Sequence, residues 1–238
     1  MVSSTSKCLA IIPARMGSKG IIGKNRRKIA GQTLVDWAIQ AASNAESIRD
    51  IALSTDDPHF LELYKHTAIK LVERPAHLTG DLVGSAEVVW SVLKNLQMGG
   101  GDNYEWVCLL QPTSPFRSAS HIDKAFSQML SSGGDACISV SEADNTSLKG
   151  FIVDDSGSLR GAVNDDLPFK PRQELPKYYR ANGAIYLVHA LDFMLRASFM
   201  GTKTVPFLMD AEESLDIDSL TDLRRARELA PKYLKKIN

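Results

Sequence analysis

The sequence predicts an α/β fold built on a doubly wound, mostly parallel sheet, and two observations carry that prediction. Short apolar runs alternate with segments whose apolar residues recur at helical spacing, strand then helix, through residues 7–140. A loop rich in glycine and cations follows the first apolar run directly, at the strand end where such sheets bind ligands.

The elements follow in order. Residues 7–14 form the first strand, and residues 33–45 a helix with Leu34, Trp37, Ala38 and Ala41 on one face. Residues 50–55 are a strand closing on Asp56-Asp57-Pro58, where the Asp pair caps a helix running through Tyr64. A strand at 69–72 precedes a helix at 84–96, with Val88, Val89, Val92 and Leu96 on one side. Residues 105–110 are read as a strand, continuously apolar from Trp106 to Leu110, the mark of a central parallel strand covered on both faces. That strand ends in the rigid turn Gln111-Pro112-Thr113-Ser114-Pro115. A helix at 120–130 and a strand at 136–140 complete the regular alternation, with right-handed crossovers expected.

From Ser141 the texture changes. Residues 151–160 read as a hairpin turning at Ser156-Gly157, followed by a polar stretch dotted with Pro168, Pro171 and Pro176. A strand at 183–188, a helix at 191–197, a strand at 202–208 and a last helix from Leu220 through Tyr233 return to the main body. The division expected is a main α/β domain of residues 1–140 and 181–238 with an excursion at 141–180. Phe151, Ile152, Leu167 and Phe169 have too little chain around them in that excursion to be buried. It is therefore expected to pack on a second subunit, making a homodimer.

Composition narrows the class. Lys+Arg and Asp+Glu both number 28, so no global basic field speaks for nucleic acid or an anionic membrane. Attraction for a polyanion has to come from local clustering. The apolar run from Cys8 to Ala14 is too brief for a signal segment or a membrane span, and a cytoplasmic location is expected. Cys8, Cys108 and Cys137 lie far apart within apolar runs, as buried hydrophobes of a reducing compartment do. The histidines fit no metal or triad spacing.

Chemistry concentrates in a few places. The loop after the first strand holds Gly17, Gly20 and Gly23 together with Arg15, Lys19 and Lys24. Glycines let backbone N–H groups approach a phosphate, and the cations neutralise it. The loop misses the P-loop pattern, because Ser18 stands where the first glycine belongs and Asn25 where a hydroxyl would bind Mg²⁺. Gln111 leaves a buried strand where ligands bind, so it is a candidate for a polar substrate. Asp216-Ile217-Asp218 alternates along an extended chain, so two carboxylates face one way and Ile217 the core. Such a pair suits Mg²⁺, which takes one or two carboxylates plus substrate phosphates; the competing role for Asp218-Ser219 is capping of the last helix. Arg172, Arg180, Asn182 and Tyr186 form a polar set able to clamp a carboxylate through guanidinium forks. Arg74 and Ser85 can offer donors to a base edge.

These residues together resemble the cytidylyltransferase family that activates nonulosonic acids, the CMP-sialic acid synthetases. The resemblance rests on I-x-A-R-x-x-S-K-G-x-x-x-K-N at Ile12 to Asn25, Ser54-Thr55-Asp56, Arg74-Pro75 with Ser85, and the segment from Leu109 to Arg117. It continues through P-R-Q-x-L-P from Pro171 to Pro176, R-x-N-G-A-I-Y from Arg180 to Tyr186, and S-L-D-I-D from Ser214 to Asp218. The matches run in order over nearly the whole chain.

The resemblance implies a Rossmann-like nucleotidyltransferase that moves CMP from CTP to the anomeric hydroxyl of a sialic-acid-like acid, with Mg²⁺, releasing pyrophosphate. Arg15, Ser18, Lys19, Lys24 and Asn25 would then hold the triphosphate side of CTP, and Arg74 and Ser85 cytosine. Gln111, Arg180, Asn182 and Tyr186 would line the sugar region, with Arg172 reaching a partner subunit's site. Asp216 and Asp218 would hold metal, and Arg15, Lys24 and Asp218 would be catalytic. Legionaminic acid, KDN, pseudaminic acid and KDO stay open as acceptors. A metal-dependent glycosyltransferase is a weaker alternative, because it has no use for a cationic loop made for a free triphosphate. A non-catalytic nucleotide-binding module would have lost the carboxylate pair.

Overall fold

The computed structural model describes residues 7–98 and 103–237. Its strands are β1 (Cys8–Pro13), β2 (Lys28–Ile29), β3 (Gln32–Thr33), β4 (Asp50–Thr55), β5 (Lys70–Glu73), β6 (Trp106–Leu109), β7 (Ala136–Ala143), β8 (Phe151–Val153), β9 (Leu159–Gly161), β10 (Tyr178–His189) and β11 (Thr204–Leu208). The helices are α1 (Leu34–Ser43), α2 (Pro58–Tyr64), α3 (Ser85–Met98), α4 (Ala119–Ser131), α5 (Ala190–Arg196) and α6 (Leu220–Ile237).

The main sheet has seven strands in the order β11-β7-β10-β6-β1-β4-β5. β1 pairs parallel with β4 on one side and β6 on the other, which makes it the point where the winding reverses. Alternate residues of β1 serve the two faces. Cys8, Ala10 and Ile12 meet α1 and α4, while Leu9 and Ile11 meet α3 and α5. The expected doubly wound, mostly parallel architecture is present.

One strand breaks the parallel pattern. β10 runs antiparallel to both β6 and β7. The chain leaves the sheet at the end of β7 and re-enters from the same edge, so β10 has to run back. Its ladder with β7 extends to Tyr178 opposite Ala143. Residues 141–143 and 178–180, read from the sequence as part of the excursion, thus pair within the main sheet. Between them, β8 and β9 form the small hairpin. Leu167 is buried within its own chain, unlike Phe151, Ile152 and Phe169, which are exposed.

Local chemistry sets the element ends. Thr33 caps α1, its hydroxyl accepting from Asp36 N–H at 3.1 Å while Asp36 Oδ2 accepts from Thr33 N–H at 2.7 Å. Ser118 and His121 do the same for α4. Of the Asp pair before α2, only Asp57 caps, accepting from His59 N–H at 2.9 Å; Asp56 has another task, described below. α6 packs on the β2–β3 hairpin, a pairing absent from the expected elements, and on α1, with Leu223, Ala226 and Tyr233 clustered with Ile29 of the hairpin and Trp37 of α1. Ile21 and Ile217 enter the same cluster, which ties the glycine loop to the Asp-Ile-Asp segment. All three cysteines are buried and free, and burial pushes the Cys108 and Cys137 thiols up to about 12. No helix among the described residues is long and apolar enough to cross a membrane.

Candidate active site

A polar cavity of about 180 Å³ opens at the C-terminal ends of β1 and β6, where the winding reverses. Pro13, Arg15, Gly17, Ser18, Lys24 and Asn25 form one side of it. Arg74, Ser85, Gln111, Pro112 and Thr113 are on the others.

The glycine loop is held by its ends. Thr55 donates its hydroxyl to Ala14 O at 2.6 Å, Met16 N–H donates to Asp56 Oδ1 at 2.7 Å, and Asn25 Nδ2 donates to Arg15 O at 2.9 Å. Arg26 pairs with Asp57, so the loop's exit is fastened to the start of α2. Gly23 sits at φ 62°, a conformation that favours glycine. At Gly20 a Cβ would run into the backbone carbonyl of Asp218. The absence of a side chain there lets the cationic loop lie directly against the acidic segment.

Lys24 joins the two parts. Its Nζ lies 2.9 Å from Asp218 Oδ1. Ile217 is buried, and its N–H donates to Thr113 O at 2.9 Å, which fixes the flanking carboxylates beside the turn after β6. The capping alternative for Asp218 is answered locally. Ser219 Oγ accepts from Asp222 N–H at 3.2 Å and Asp222 Oδ2 accepts from Ser219 N–H at 2.8 Å, so Ser219 caps α6 and the Asp218 carboxylate does not.

Asp216 lies in a different environment from Asp218. Burial pushes its carboxyl above the usual range, with Asp218 adding to the rise while Thr113 and Lys24 oppose it. Its Oδ1 is buried without a hydrogen-bond partner, and a cation would supply what this oxygen lacks. No cluster of three or more His, Cys, Asp or Glu side chains suited to a metal occurs among the described residues. The orphaned Oδ1 fits an ion that needs only one or two carboxylates and takes its other ligands from substrate and water, the habit of Mg²⁺.

On the other wall, Arg74 is buried. It donates to Ser54 O at 3.3 Å, and its Nε has no partner. Burial lowers its pKa to about 10, which leaves it cationic at neutral pH. Gln111 Nε2 stands 3.5 Å from Ser85 Oγ across the cavity.

The other residues singled out in the sequence sit elsewhere. Lys19 is exposed at the rim and pairs with Asp81 at 2.9 Å. Arg172 lines a separate surface hollow with Asp144 and Lys177, and its guanidinium is 3.4 Å from Asp144. Arg180 is exposed on β10 opposite Ser141. Asn182 is buried with its carboxamide engaged, accepting from Ser139 Oγ at 2.6 Å and donating to Ser214 Oγ at 2.9 Å. It organises the turn instead of presenting a free amide to a ligand. Tyr186 is half-buried against Phe199 and close enough to Asp216 for that charge to help burial raise its phenol pKa.

Two positioning residues escaped the sequence reading. Arg117, at 1% exposure, donates from Nη1 to Gln111 O and to Ala184 O, each at 3.1 Å. It thereby clamps the turn after β6 to the bend in β10. At that bend Gly183 has φ 77°, and a Cβ there would come within 2.7 Å of Gln111 Oε1. Asp81 pairs with Arg15 at 2.7 Å. Arg117 lies within a motif already singled out and Asp81 close to one, yet only the folded contacts reveal the task of each.

A doubly wound sheet with a cationic glycine loop and a carboxylate pair at its switch point defines the class, a Rossmann-like nucleotidyltransferase fold. The fold is shared with a CMP:2-keto-3-deoxy-manno-octonic acid synthetase solved with CTP, at a TM-score of 0.67 and 15% identity, covering 95% of this chain and 99% of that one. The chain belongs to the cytidylyltransferase family, which it matches over residues 9–233. It is 33% identical over 218 residues to an N-acylneuraminate cytidylyltransferase of Streptococcus agalactiae serotype III, covering 91% of this chain and 51% of that protein. The chain thus spans about half the length of that relative. It is 31% identical to the CMP-N,N'-diacetyllegionaminic acid synthase of Legionella pneumophila, covering 91% of this chain and 93% of that protein.

Proposed function

We propose that the protein transfers CMP from CTP to the anomeric hydroxyl of a sialic-acid-like nonulosonic acid and releases pyrophosphate. The observation that carries this reading is the Lys24–Asp218 contact at 2.9 Å, which brings the cationic glycine loop and the Asp216/Asp218 carboxylates together. Family membership supports the nucleotide, and the relatives' names support the acceptor class.

Arg15 and Lys24 bind and orient the triphosphate, with Gly17 and Ser18 of the loop lining the same cavity. Arg74 and Ser85 read the base edge. Asp216 and Asp218 would hold Mg²⁺, which when bound would supply charge neutralisation to the phosphates and lower the pKa of the sugar hydroxyl. The anomeric oxygen attacks the α-phosphorus. Its proton passes to the Asp218 carboxylate, and the bond from the α-phosphorus to the bridging oxygen breaks so that pyrophosphate leaves. Nucleotidyl transfer of this kind depends on positioning and electrostatics more than on covalent help from the protein.

The near full-length match to the Legionella protein supports legionaminic-type acids as a second acceptor reading. Pyrophosphate release with a panel of 2-keto sugar acids, and with CTP, UTP, ATP and GTP in turn, tests the proposal. Release is expected with CTP and at least one nonulosonic acid. Equal use of all four nucleotides would remove Arg74 and Ser85 from base recognition.

The working unit in this reading is a cytoplasmic homodimer. Phe151, Ile152, Val153 and Leu159 are exposed on the β8–β9 hairpin, and Phe169, at 79% exposure, stands edge-on to Phe151 at 6.2 Å. Burying such a face contributes roughly 25 cal/mol per Å² of apolar surface. A dimer by sedimentation that Ile152→Asp converts to monomer is the expected result. A wild-type monomer with full activity would contradict it.

A further inference from the structure

We propose that Asp81 is a built-in competitor of the nucleotide's phosphates, occupying the cations of the glycine loop and yielding them when a polyphosphate arrives. The inference rests on the reading of that loop as a triphosphate cradle. Both Asp81 oxygens are engaged: Oδ1 lies 2.7 Å from Arg15 Nη2 and Oδ2 lies 2.9 Å from Lys19 Nζ. Arg15 Nη1 donates to Thr79 O at 3.1 Å, so both of its terminal nitrogens are committed to one segment. The two cations together hold the Asp81 carboxyl below its ordinary range.

The segment is built to move away. Gly80 and Gly84 flank Asp81, and Leu82 between them is 99% exposed, so no core contact of that side chain holds it down. Gly80 and Val83 nonetheless line the same cavity as Arg15 and Lys24. One carboxylate shared by two cations is a weak opponent for a triphosphate or pyrophosphate, whose several charges can engage both cations together. The exchange has two consequences. In the empty protein Asp81 keeps Arg15 placed at the cavity, and after transfer it competes for the cations that retain pyrophosphate.

Titration calorimetry on the intact protein, with magnesium present and no sugar acid, tests this with CTP, pyrophosphate and CMP as probes. Asp81→Asn and Asp81→Ser should each tighten CTP and pyrophosphate roughly three- to tenfold, the scale of two partly exposed ion pairs. CMP, which lacks the outer phosphates, should change by less than about twofold on the same scale. In a background of Arg15→Met and Lys19→Met the gain should vanish. Unchanged or weaker CTP binding in both Asp81 variants would overturn the proposal. So would a gain that persists in the double-Met background, since that signals only a change in overall field. If the wild-type protein binds neither CTP nor pyrophosphate, the cradle reading falls and the competitor falls with it.

Discussion

Asp218→Asn is expected to lower kcat by at least about a hundredfold, the scale on which a preorganised electrostatic group acts in a transition state. Asparagine keeps the shape and one oxygen but loses the charge and the basicity. Asp216→Asn is expected to act differently, raising the Mg²⁺ concentration needed for half-maximal rate, with part of kcat recovered at high Mg²⁺. The difference follows from placement. Asp218 is exposed beside Lys24, open to substrate, whereas Asp216 is largely buried with an orphaned Oδ1 that an ion would satisfy. Were Asp218 a helix cap, Asn would replace it almost without loss, but Ser219 already fills that role. Rate against Mg²⁺ concentration for the two variants is the deciding measurement. Near-normal curves for both would remove the pair from the chemistry.

Arg15→Ala and Lys24→Ala should each reduce kcat/KM by about one to two decades, since hydrogen bonds to charged groups contribute roughly 1.5–3 kcal/mol. Their effects on the fold should differ. Arg15 is partly exposed, and its loss removes one of the two cations on Asp81 and a donor to Thr79 O. Lys24 has a side chain only 16% exposed and lies against the acidic segment. Lys24→Ala should therefore also lower Tm, with added Mg²⁺ restoring part of the loss by binding the folded state. Thermal melts with and without Mg²⁺ check this, and a wild-type rate in either variant would exclude that residue from the phosphate site.

The sequence was most legible where function is written in consecutive residues. The loop from Arg15 to Asn25 and the turn from Gln111 to Pro115 each sit at the end of an apolar run, and the Asp216–Asp218 pair alternates about an apolar Ile217, so element and chemistry could be read together. Ile217 faces the core as alternation requires. The direction of β10 was not legible, because a buried strand shows the same apolar pattern whichever way it runs. Asn182 belongs in the sequence to a polar set around the R-x-N-G-A-I-Y segment, yet Ser139 and Ser214 come from distant segments to engage its carboxamide. Gly20 against Asp218, and Asp81 on Arg15, are likewise contacts between segments far apart in the chain. Arg117 closes the motif from Leu109, but only the packing of β6 beside β10 reveals its buried clamp.

The central claim is that the α-phosphorus of CTP ends in a bond to the sugar acid. Phosphorus-31 NMR of the protein with CTP, Mg²⁺ and a nonulosonic acid follows that atom directly. The account predicts loss of the three CTP resonances with matched growth of one phosphodiester signal and one pyrophosphate signal, dependent on the acid and absent with Asp218→Asn. Release of orthophosphate, or CMP and pyrophosphate forming at the same rate without any sugar acid, would contradict it.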